Sequence, residues 1–284
     1  MNNPPLHQRI VACKNIPSLP KQAHRLIRAF SKENLDYHDL AKIISDHPTI
    51  AARLISLANS AWAMPANPIN SLEQACANLG LTVVRSVSIG LTLISPFNIS
   101  ACPAFDIRRF WASSKLVADG AVLLAYALPT QPNPAFLQTL HTGGLLHNLG
   151  LICLADLVPK ETQQALLWVK SNPELTVNRA LHQTLQMDFC EVGGLFAETW
   201  GLPDELATII KFHRTTNYQE HYWEFIALIG HAAAMVGSLF RTQSALPPSI
   251  AIAKLGICDT DHQQVFEKLK PLFIQTNQLA KALF

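Results

Sequence analysis

The chain has 284 residues, of which 49% are hydrophobic and only 15% are charged. Charged residues usually make up about 25% of a globular protein, and disordered chains are poor in apolar residues, so this composition excludes disorder. The 22 Lys and Arg residues nearly balance the 20 Asp and Glu residues, for a net charge of +2. That balance is unlike a protein held to nucleic acid by charge, so we predict no nucleic-acid partner.

Apolar residues recur at spacings of three and four along most of the chain, which is typical of α-helices. The pattern predicts helices over residues 6–14, 20–31, 37–46, 48–60, 71–79, 81–95, 105–127, 134–157 with a break at the Gly143–Gly144 pair, 160–170, 174–187, 189–200, 203–213, 220–241, 247–256 and 261–282. The Pro-rich segment Ser95–Pro103 separates a helical lobe at residues 1–100 from a second at residues 101–284. The sequence therefore predicts an all-α protein of two abutting lobes.

Two apolar segments are candidates for membrane spans, which need about 18 nearly uninterrupted apolar residues. Phe225–Phe240 is too short and contains His231, and Gly80–Phe97 contains Arg85. The N-terminus has no sustained apolar run behind a basic start, so it does not resemble a secretory signal. The six cysteines are widely spaced without a CxxC pair, which favours reduced, mostly buried thiols. We predict a cytoplasmic protein with no membrane partner.

The common signatures of phosphate loops, dinucleotide sites, zinc proteases and serine hydrolases are missing from the sequence. The informative segment is Gly143–Gly150, in which His147 and Asn148 lie in the middle of an otherwise apolar helix. A buried imidazole beside a buried amide needs hydrogen-bonding partners. The residues alone leave two interpretations open: a metal or anion site, or the more common core histidine whose bonds are satisfied within the fold.

This segment resembles the His-Asp signature of the HD superfamily of metal-dependent phosphohydrolases. The chain as a whole resembles the HDOD family, the HD-related output domain of bacterial signalling proteins, over about residues 16–235. The segments that carry the resemblance are Leu19-Pro20, Leu40–Pro48, Thr49–Ala61, Ile69–Leu93, Phe110–Ser114, Gly144–Gly150, Glu191–Pro203 and Ala207–His213. Each is weak alone, but their order makes the match specific. The resemblance implies a two-lobed helical fold of the HDOD type.

The resemblance also implies where the ligands of an HD metal site would lie. Such a site uses a first His, an adjacent His-Asp pair and a distant Asp to hold divalent cations that activate water. Here those positions read Ser113, His147-Asn148 and His231, and Phe189 stands where a further His is often found. Hard cations depend on carboxylate charge, and both carboxylates are replaced. We therefore expect no metal, no cofactor and no hydrolase activity.

What remains is a candidate degenerate pocket formed by Ser113, His147, Asn148, His213 and His231. His213 ends the segment Ala207–His213, and an ordinary helix-end histidine is the alternative interpretation. This pocket and the groove between the lobes are the places where we expect a ligand to bind, if one does.

The resemblance implies a non-catalytic signal-transduction module that acts through regulated protein–protein interaction in a bacterial signalling pathway. We expect it to stand alone, because no cyclase, phosphodiesterase or receiver segment is recognisable, and nothing in the residues identifies the protein partner. The apolar face of the C-terminal helix, Asp261–Phe284, leaves two alternatives: packing on its own chain or a homodimer contact.

The alternative function is a divergent metal-dependent HD-type phosphohydrolase acting on a nucleotide or cyclic dinucleotide. It would need further ligands, for instance His141, Asp119 or Asp188. Convergence of three or more such groups would favour the enzyme. Hydrogen bonds from His147 and Asn148 to their neighbours in a dry core would favour the non-catalytic module.

Overall fold

A computed structural model describes residues 26, 36–241 and 246–284 of the chain. Most of this part is α-helical, and none of it forms a β-strand. The helices are α1 (Tyr37–Ser45), α2 (Pro48–Ala58), α3 (Leu72–Leu79), α4 (Leu81–Ile94), α5 (Ile107–Ala125), α6 (Pro134–Leu146), α7 (Leu149–Leu157), α8 (Pro159–Ser171), α9 (Val177–Leu185), α10 (Phe189–Thr199), α11 (Asp204–Phe212), α12 (Trp223–Phe240), α13 (Ile250–Ala253) and α14 (Asp259–Leu283). The predicted all-α class is confirmed. The predicted helix 6–14, Cys13, Leu19-Pro20 and all of helix 20–31 except the buried Leu26 lie outside the described residues.

The helices form two groups that follow the order of the chain. Helices α1–α4 pack on one another, and α5 lies at the centre of the second group, where it contacts α6, α12 and α14. A 3-10 helix, Ile99–Ala101, lies in the Pro-rich segment between the groups. The domain boundary at residue 100 stays a prediction.

The loop that follows α2 is fixed by one side chain. Asn59 donates from Nδ2 to the Ile69 carbonyl oxygen and accepts from the Ile69 amide, both at 2.8 Å. The same Nδ2 also donates to the Ile55 carbonyl oxygen at 2.9 Å, which ties this loop to the last turn of α2. The loop carries Trp62, which is half-buried.

The break predicted at Gly143–Gly144 is wrong. Helix α6 continues through both glycines to Leu146, and the chain turns at His147 and Asn148 before α7 begins at Leu149. The two glycines serve packing instead of helix termination. A Cβ atom on Gly144 would lie 2.5 Å from the Ala118 Cα, so α5 and α6 approach backbone to backbone.

Helix α7 approaches α10 just as closely. A Cβ atom on Gly150 would lie 1.9 Å from the Phe189 carbonyl oxygen and 2.5 Å from the Gly193 amide nitrogen. Both of those atoms belong to backbone, so they cannot move aside by a change of rotamer. Gly150 is therefore required for the contact between these two helices.

Helix α12 has 18 residues, which is longer than the apolar segment the sequence predicts, and by length and hydropathy it is able to cross a membrane. In the described part of the chain, the bent pair α3–α4 also passes this test when the two are counted together. However, α12 packs on α5 and buries Ile226, Ile229, Met235 and its one ionisable core residue, His231. These contacts are those of a core helix.

The C-terminal helix packs on its own chain. Helix α14 lies along α5 and buries Phe266, Leu269 and Leu279. The Arg53 guanidinium donates to the Leu283 carbonyl oxygen at 2.7 Å, which ties the end of the helix to α2. The apolar face of α14 is therefore used within the chain and is not available for a dimer contact. The homodimer stays a prediction without this support.

Replacement of Gly150 by Ala tests the α7–α10 contact. We expect a loss of about 3 kcal/mol or more in the free energy of unfolding, because overpacking costs about 1–3 kcal/mol even where side chains can adjust. Gly237→Ala in α12 is the matched control, since the atoms nearest to its Cβ are the tip of Arg241, at 3.6 Å. The control should gain up to about 1 kcal/mol from helix propensity. Equal urea midpoints for the two variants would contradict this packing.

Candidate functional site

His147 lies in the turn between α6 and α7 and is only 4% exposed. Its Nδ1 lies 2.7 Å from the Gly144 carbonyl oxygen. A carbonyl oxygen can only accept, so Nδ1 carries the proton and Nε2 carries the lone pair. Burial lowers the pKa of His147 to about 4, although the bond to Gly144 opposes this shift, and the charge on Arg214 adds to it. The ring is therefore neutral near pH 7.

Asn148 is held by a side chain of α5. Its Oδ1 accepts a hydrogen bond of 2.8 Å from the Ser114 hydroxyl, and both residues are buried. The sequence prediction placed Ser113 at this point, but Ser113 is half-buried, and the hydroxyl that meets Asn148 belongs to the next residue. Successive helical residues point about 100° apart, so a shift of one position changes the face. The amide oxygen that would face a cation is already bonded within the protein.

His213 follows α11 and meets His147. The two rings contact edge to face with centroids 5.1 Å apart, and His213 Nδ1 lies 3.2 and 3.1 Å from the carbonyl oxygens of Ile209 and Ile210. The Cys190 sulfur lies 3.8 Å from His213 Nε2. Burial raises the pKa of Cys190, so the thiol keeps its proton and can donate it to that nitrogen. Burial also holds the pKa of His213 well below its ordinary value, aided by His147 and Arg214.

Phe189 begins α10, at the position where the family often has a further His. Its ring centroid lies 5.9 Å from that of His213. An aromatic hydrocarbon therefore packs beside His213 at a place where an imidazole would supply a ligand.

His231 is paired elsewhere in the core. Its Nε2 lies 2.6 Å from the Nε2 of His262 on α14, and the two residues are 5% and 2% exposed. One ring donates and the other accepts, so both can remain neutral. Burial and the neighbouring His262 lower the pKa of His231 to about 4. The structure gives His231 this partner instead of a contact with His147.

The additional ligands that a divergent enzyme would need are also engaged. Asp188 caps α10: its side chain accepts from the amides of Cys190 and Glu191 and from the Asn178 side chain. This capping explains the acid before the Glu-Val-Gly segment without any metal.

Asp119 forms an ion pair within its own helix, α5. Its carboxylate lies 2.6 Å from the Lys115 ammonium one turn earlier and 3.8 Å from His141 Nε2. Burial raises the pKa of Asp119, but Lys115 and His141 lower it more strongly, so the carboxylate is ionised. These three residues line a cavity that does not include His147.

The donor set does not fit the divalent cation of an HD enzyme. A bond from Nδ1–H to a carbonyl oxygen also orients metal-bound histidines, so His147 alone does not decide the matter. The decisive residue is Asn148, which is neutral and already accepts from Ser114. Within the described residues, no group of three or more His, Cys, Asp or Glu side chains is arranged to hold a metal ion.

Comparison with known families adds to this geometry. The family model of the HDOD domain matches residues 16–216, which is more than half of the chain. The chain belongs to the HDOD family. A relative of this chain by sequence, an "Uncharacterized protein" of Treponema pallidum, is 24% identical over 225 residues, which are 77% of this chain and 41% of the relative.

Solved structures share the fold. A "Putative signal transduction protein" of Marinobacter aquaeolei matches 100% of this chain and 62% of its own, with a TM-score of 0.80 and 21% identity. An HDOD domain protein with unknown function from Geobacter sulfurreducens matches 98% of this chain and 96% of its own, with a TM-score of 0.74 and 21% identity. A "Putative phosphohydrolase" of Shewanella amazonensis matches 98% of both chains, with a TM-score of 0.70 and 22% identity. The HDOD chain thus spans less than two thirds of the Treponema and Marinobacter proteins.

The sequence predicts His147, Asn148, His213 and His231 as pocket residues, but it does not predict Ser114, the partner of Asn148, or His262, the partner of His231. The resemblance points to Ser113, and the sequence does not show that the neighbouring Ser114 is on the face of α5 that meets Asn148. His262 was missed because the C-terminal helix lies beyond the resembling segments. The pair Lys115–Asp119 was detectable as an i,i+4 ion pair on α5.

The buried histidines predict acid sensitivity. The pKa values of His147 and His231 are about 4, against an ordinary value of 6.5 in the unfolded chain. Between these values the unfolded chain binds protons that the folded chain does not, so stability is complete above about pH 7 and falls as the pH falls toward 4. Each such histidine removes up to about 1.4 kcal/mol per pH unit.

Urea unfolding at pH 7.5 and pH 5.5 measures this slope. The double variant His231→Leu/His262→Leu removes one buried pair and should give a shallower slope than the native chain, whereas the exposed control His221→Gln should leave it unchanged. A native chain that is equally stable at both pH values would contradict the assignment of neutral, buried rings.

Proposed function

We propose that this HDOD chain is a non-catalytic signal-transduction module of a bacterial cytoplasm, and that it acts by regulated binding to a partner protein. The observation that supports the absence of catalysis is the hydrogen bond from Ser114 to Asn148 Oδ1. The bond uses the oxygen that stands in for the missing carboxylate, and the residue beside it, His147, is neutral and packed against His213.

A partner surface is offered by α8. Leu167 and Trp168 are consecutive residues of this helix, and they are 48% and 43% exposed. Single exposed apolar residues are ordinary, but adjacent large ones, and tryptophan in particular, are enriched where proteins bind each other. This pair supports a role in partner binding.

The alternative function is a divergent HD-type phosphohydrolase acting on a nucleotide or cyclic dinucleotide. The lone pair on His147 Nε2 is the feature that favours it, because an HD enzyme would use that atom as a ligand. However, His231 bonds His262, Asp188 caps α10, and His141 and Asp119 line a different cavity. The alternative therefore lacks the carboxylates that its chemistry requires.

Metal content and phosphoester hydrolysis test the absence of catalysis. Protein purified without chelators or a metal-affinity tag should contain less than about a tenth of an equivalent of any transition metal, because a site with one lone-pair imidazole and no carboxylate binds metal weakly. Elemental analysis gives the content, and turnover of cyclic dinucleotides with added Mn²⁺ should equal that of the His147→Gln variant. About one equivalent of metal, lost in His147→Gln together with turnover, would establish the enzyme instead.

Partner binding is tested on the full chain with matched surface variants. The native protein should retain one specific protein from an extract of its own host cells, as quantified by mass spectrometry. The variant Leu167→Ser/Trp168→Ser should lose at least about tenfold of that capture, since buried aromatic anchors carry much of the binding energy. Ile274→Ser, at another exposed apolar residue, is the control and should bind normally. Capture that is equal in all three would contradict the α8 surface.

A further inference from the structure

A cavity of about 620 Å³ lies between the two groups of helices. Its walls come from α4 and the Trp62 loop on one side and from α5, α6 and α14 on the other. We call it the Arg85 cavity, and the residues that define it here are Trp62, Arg85, Lys115, Asp119, His141 and Thr276. Ligand pockets for small molecules commonly have volumes of about 300–1,000 Å³, so the size suits a small molecule.

Arg85 brings an uncompensated charge to this cavity. Its Nε is buried and has no hydrogen-bond partner among the residues that the structure describes. Arg85 also belongs to none of the ion pairs formed within that part of the chain. Arg85 as a whole is half-buried and its guanidinium stays protonated, but the buried Nε–H without an acceptor is costly. An anion in the cavity would supply what this side chain lacks.

The other charged residues of the cavity largely neutralise each other. Lys115 and Asp119 form an ion pair of 2.6 Å, with the two side chains 9% and 12% exposed. Counting histidine as neutral, the charged residues lining the cavity are Arg85, Lys115 and Asp119, so the net charge is +1. His141 adds a second buried nitrogen, Nε2, which lies 3.8 Å from the Asp119 carboxylate and makes no hydrogen bond among the described residues. The cavity therefore matches a ligand with one negative charge and hydrogen-bonding oxygens.

The remaining walls are mostly apolar. They are formed by residues that include Val83, Val122, Leu123, Leu137, Leu272 and Leu279. A cavity with this lining excludes a fully hydrated inorganic ion as its best ligand and favours a molecule with a hydrocarbon part.

We propose that the Arg85 cavity binds a small amphipathic anion, a carboxylate in preference to a phosphate ester, with Arg85 holding the anionic group and the apolar walls holding the hydrocarbon part. The single positive charge favours the carboxylate, because a phosphate monoester carries about −1.5 to −2 near pH 7. This proposal goes beyond partner binding and does not depend on it.

Octanoate, 1-octanol and octyl phosphate are suitable probes, and protein-observed NMR titration of the full chain measures their affinities. Octanoate should bind at roughly 1 mM or tighter and at least tenfold more tightly than octanol, which lacks the charge. If octyl phosphate binds more tightly than octanoate, the preference for a carboxylate is wrong and the ligand is a phosphate ester. Failure of both anions to bind up to about 10 mM, or equal binding of octanol, would overturn the proposal.

Two variants locate the binding. Arg85→Met keeps the length of the side chain and removes the charge, and it should weaken octanoate binding at least tenfold without weakening octanol. Arg179→Met, at an exposed residue of α9, is the matched control and should bind like the native chain. Equal octanoate affinities of the two variants would overturn the role of Arg85.

If Arg85→Met fails to fold, the variant Thr82→Trp tests the location of binding instead. Thr82 is an exposed residue that lines the cavity, so a large ring there obstructs the cavity with little risk to the fold. The variant should lose both octanoate and octanol. Octanoate binding that survives in Thr82→Trp would place the anion elsewhere and overturn the proposal.

Discussion

The register of two antiparallel helices, α5 and α6, determines both of the sites described above. The missing side chain of Gly144 lets α6 rest on the backbone of α5 at Ala118. Ser114 lies one turn before Ala118 on α5, and Asn148 lies four residues after Gly144, in the turn that follows α6. The same register therefore places Ser114 against Asn148. In the other direction it brings Asp119 to His141, at the edge of the Arg85 cavity. A slip of these helices would separate both pairs of residues at once. The close contact at Gly144 therefore supports both the His147–Asn148 turn and the Arg85 cavity.

The two sites differ in how their polar groups are satisfied. Around His147, the Nδ1 atoms of His147 and His213 and the Oδ1 of Asn148 are bonded to backbone carbonyls or to a neighbouring side chain, and desolvation keeps His147 and His213 uncharged. In the cavity, Arg85 Nε and His141 Nε2 are buried nitrogens that make no hydrogen bond in the described part of the chain. Folded proteins satisfy nearly all buried polar groups, so unsatisfied ones point to a missing ligand more strongly than a familiar motif does. The residues that look most like an enzyme are therefore the less promising place for a ligand.

Much of the fold follows from local patterns in the sequence. Apolar spacing and proline positions predict most of the helices between α1 and α14, because these signals act within a few residues. The break at Gly143–Gly144 was misplaced because glycine was interpreted by its weak helix propensity, whereas here it permits a close helix contact that only tertiary structure reveals. The candidate pocket was predictable in part: the motif located His147 and Asn148, and the segment after α11 located His213. Ser114, His262 and the cavity depend on which faces of distant helices meet, and no spacing within one segment carries that information.

We infer that His147 and Asn148 form a closed structural motif and not a metal site. Nitrogen-15 NMR of the imidazole side chains, recorded before and after a molar excess of Zn²⁺ is added, tests it most directly. We expect His147 to remain in the neutral form protonated at Nδ1, with an Nε2 resonance that Zn²⁺ does not move, because its neighbours offer no further ligands. A stoichiometric shift of the His147 Nε2 resonance on addition of Zn²⁺ would contradict this inference and show that the motif binds metal.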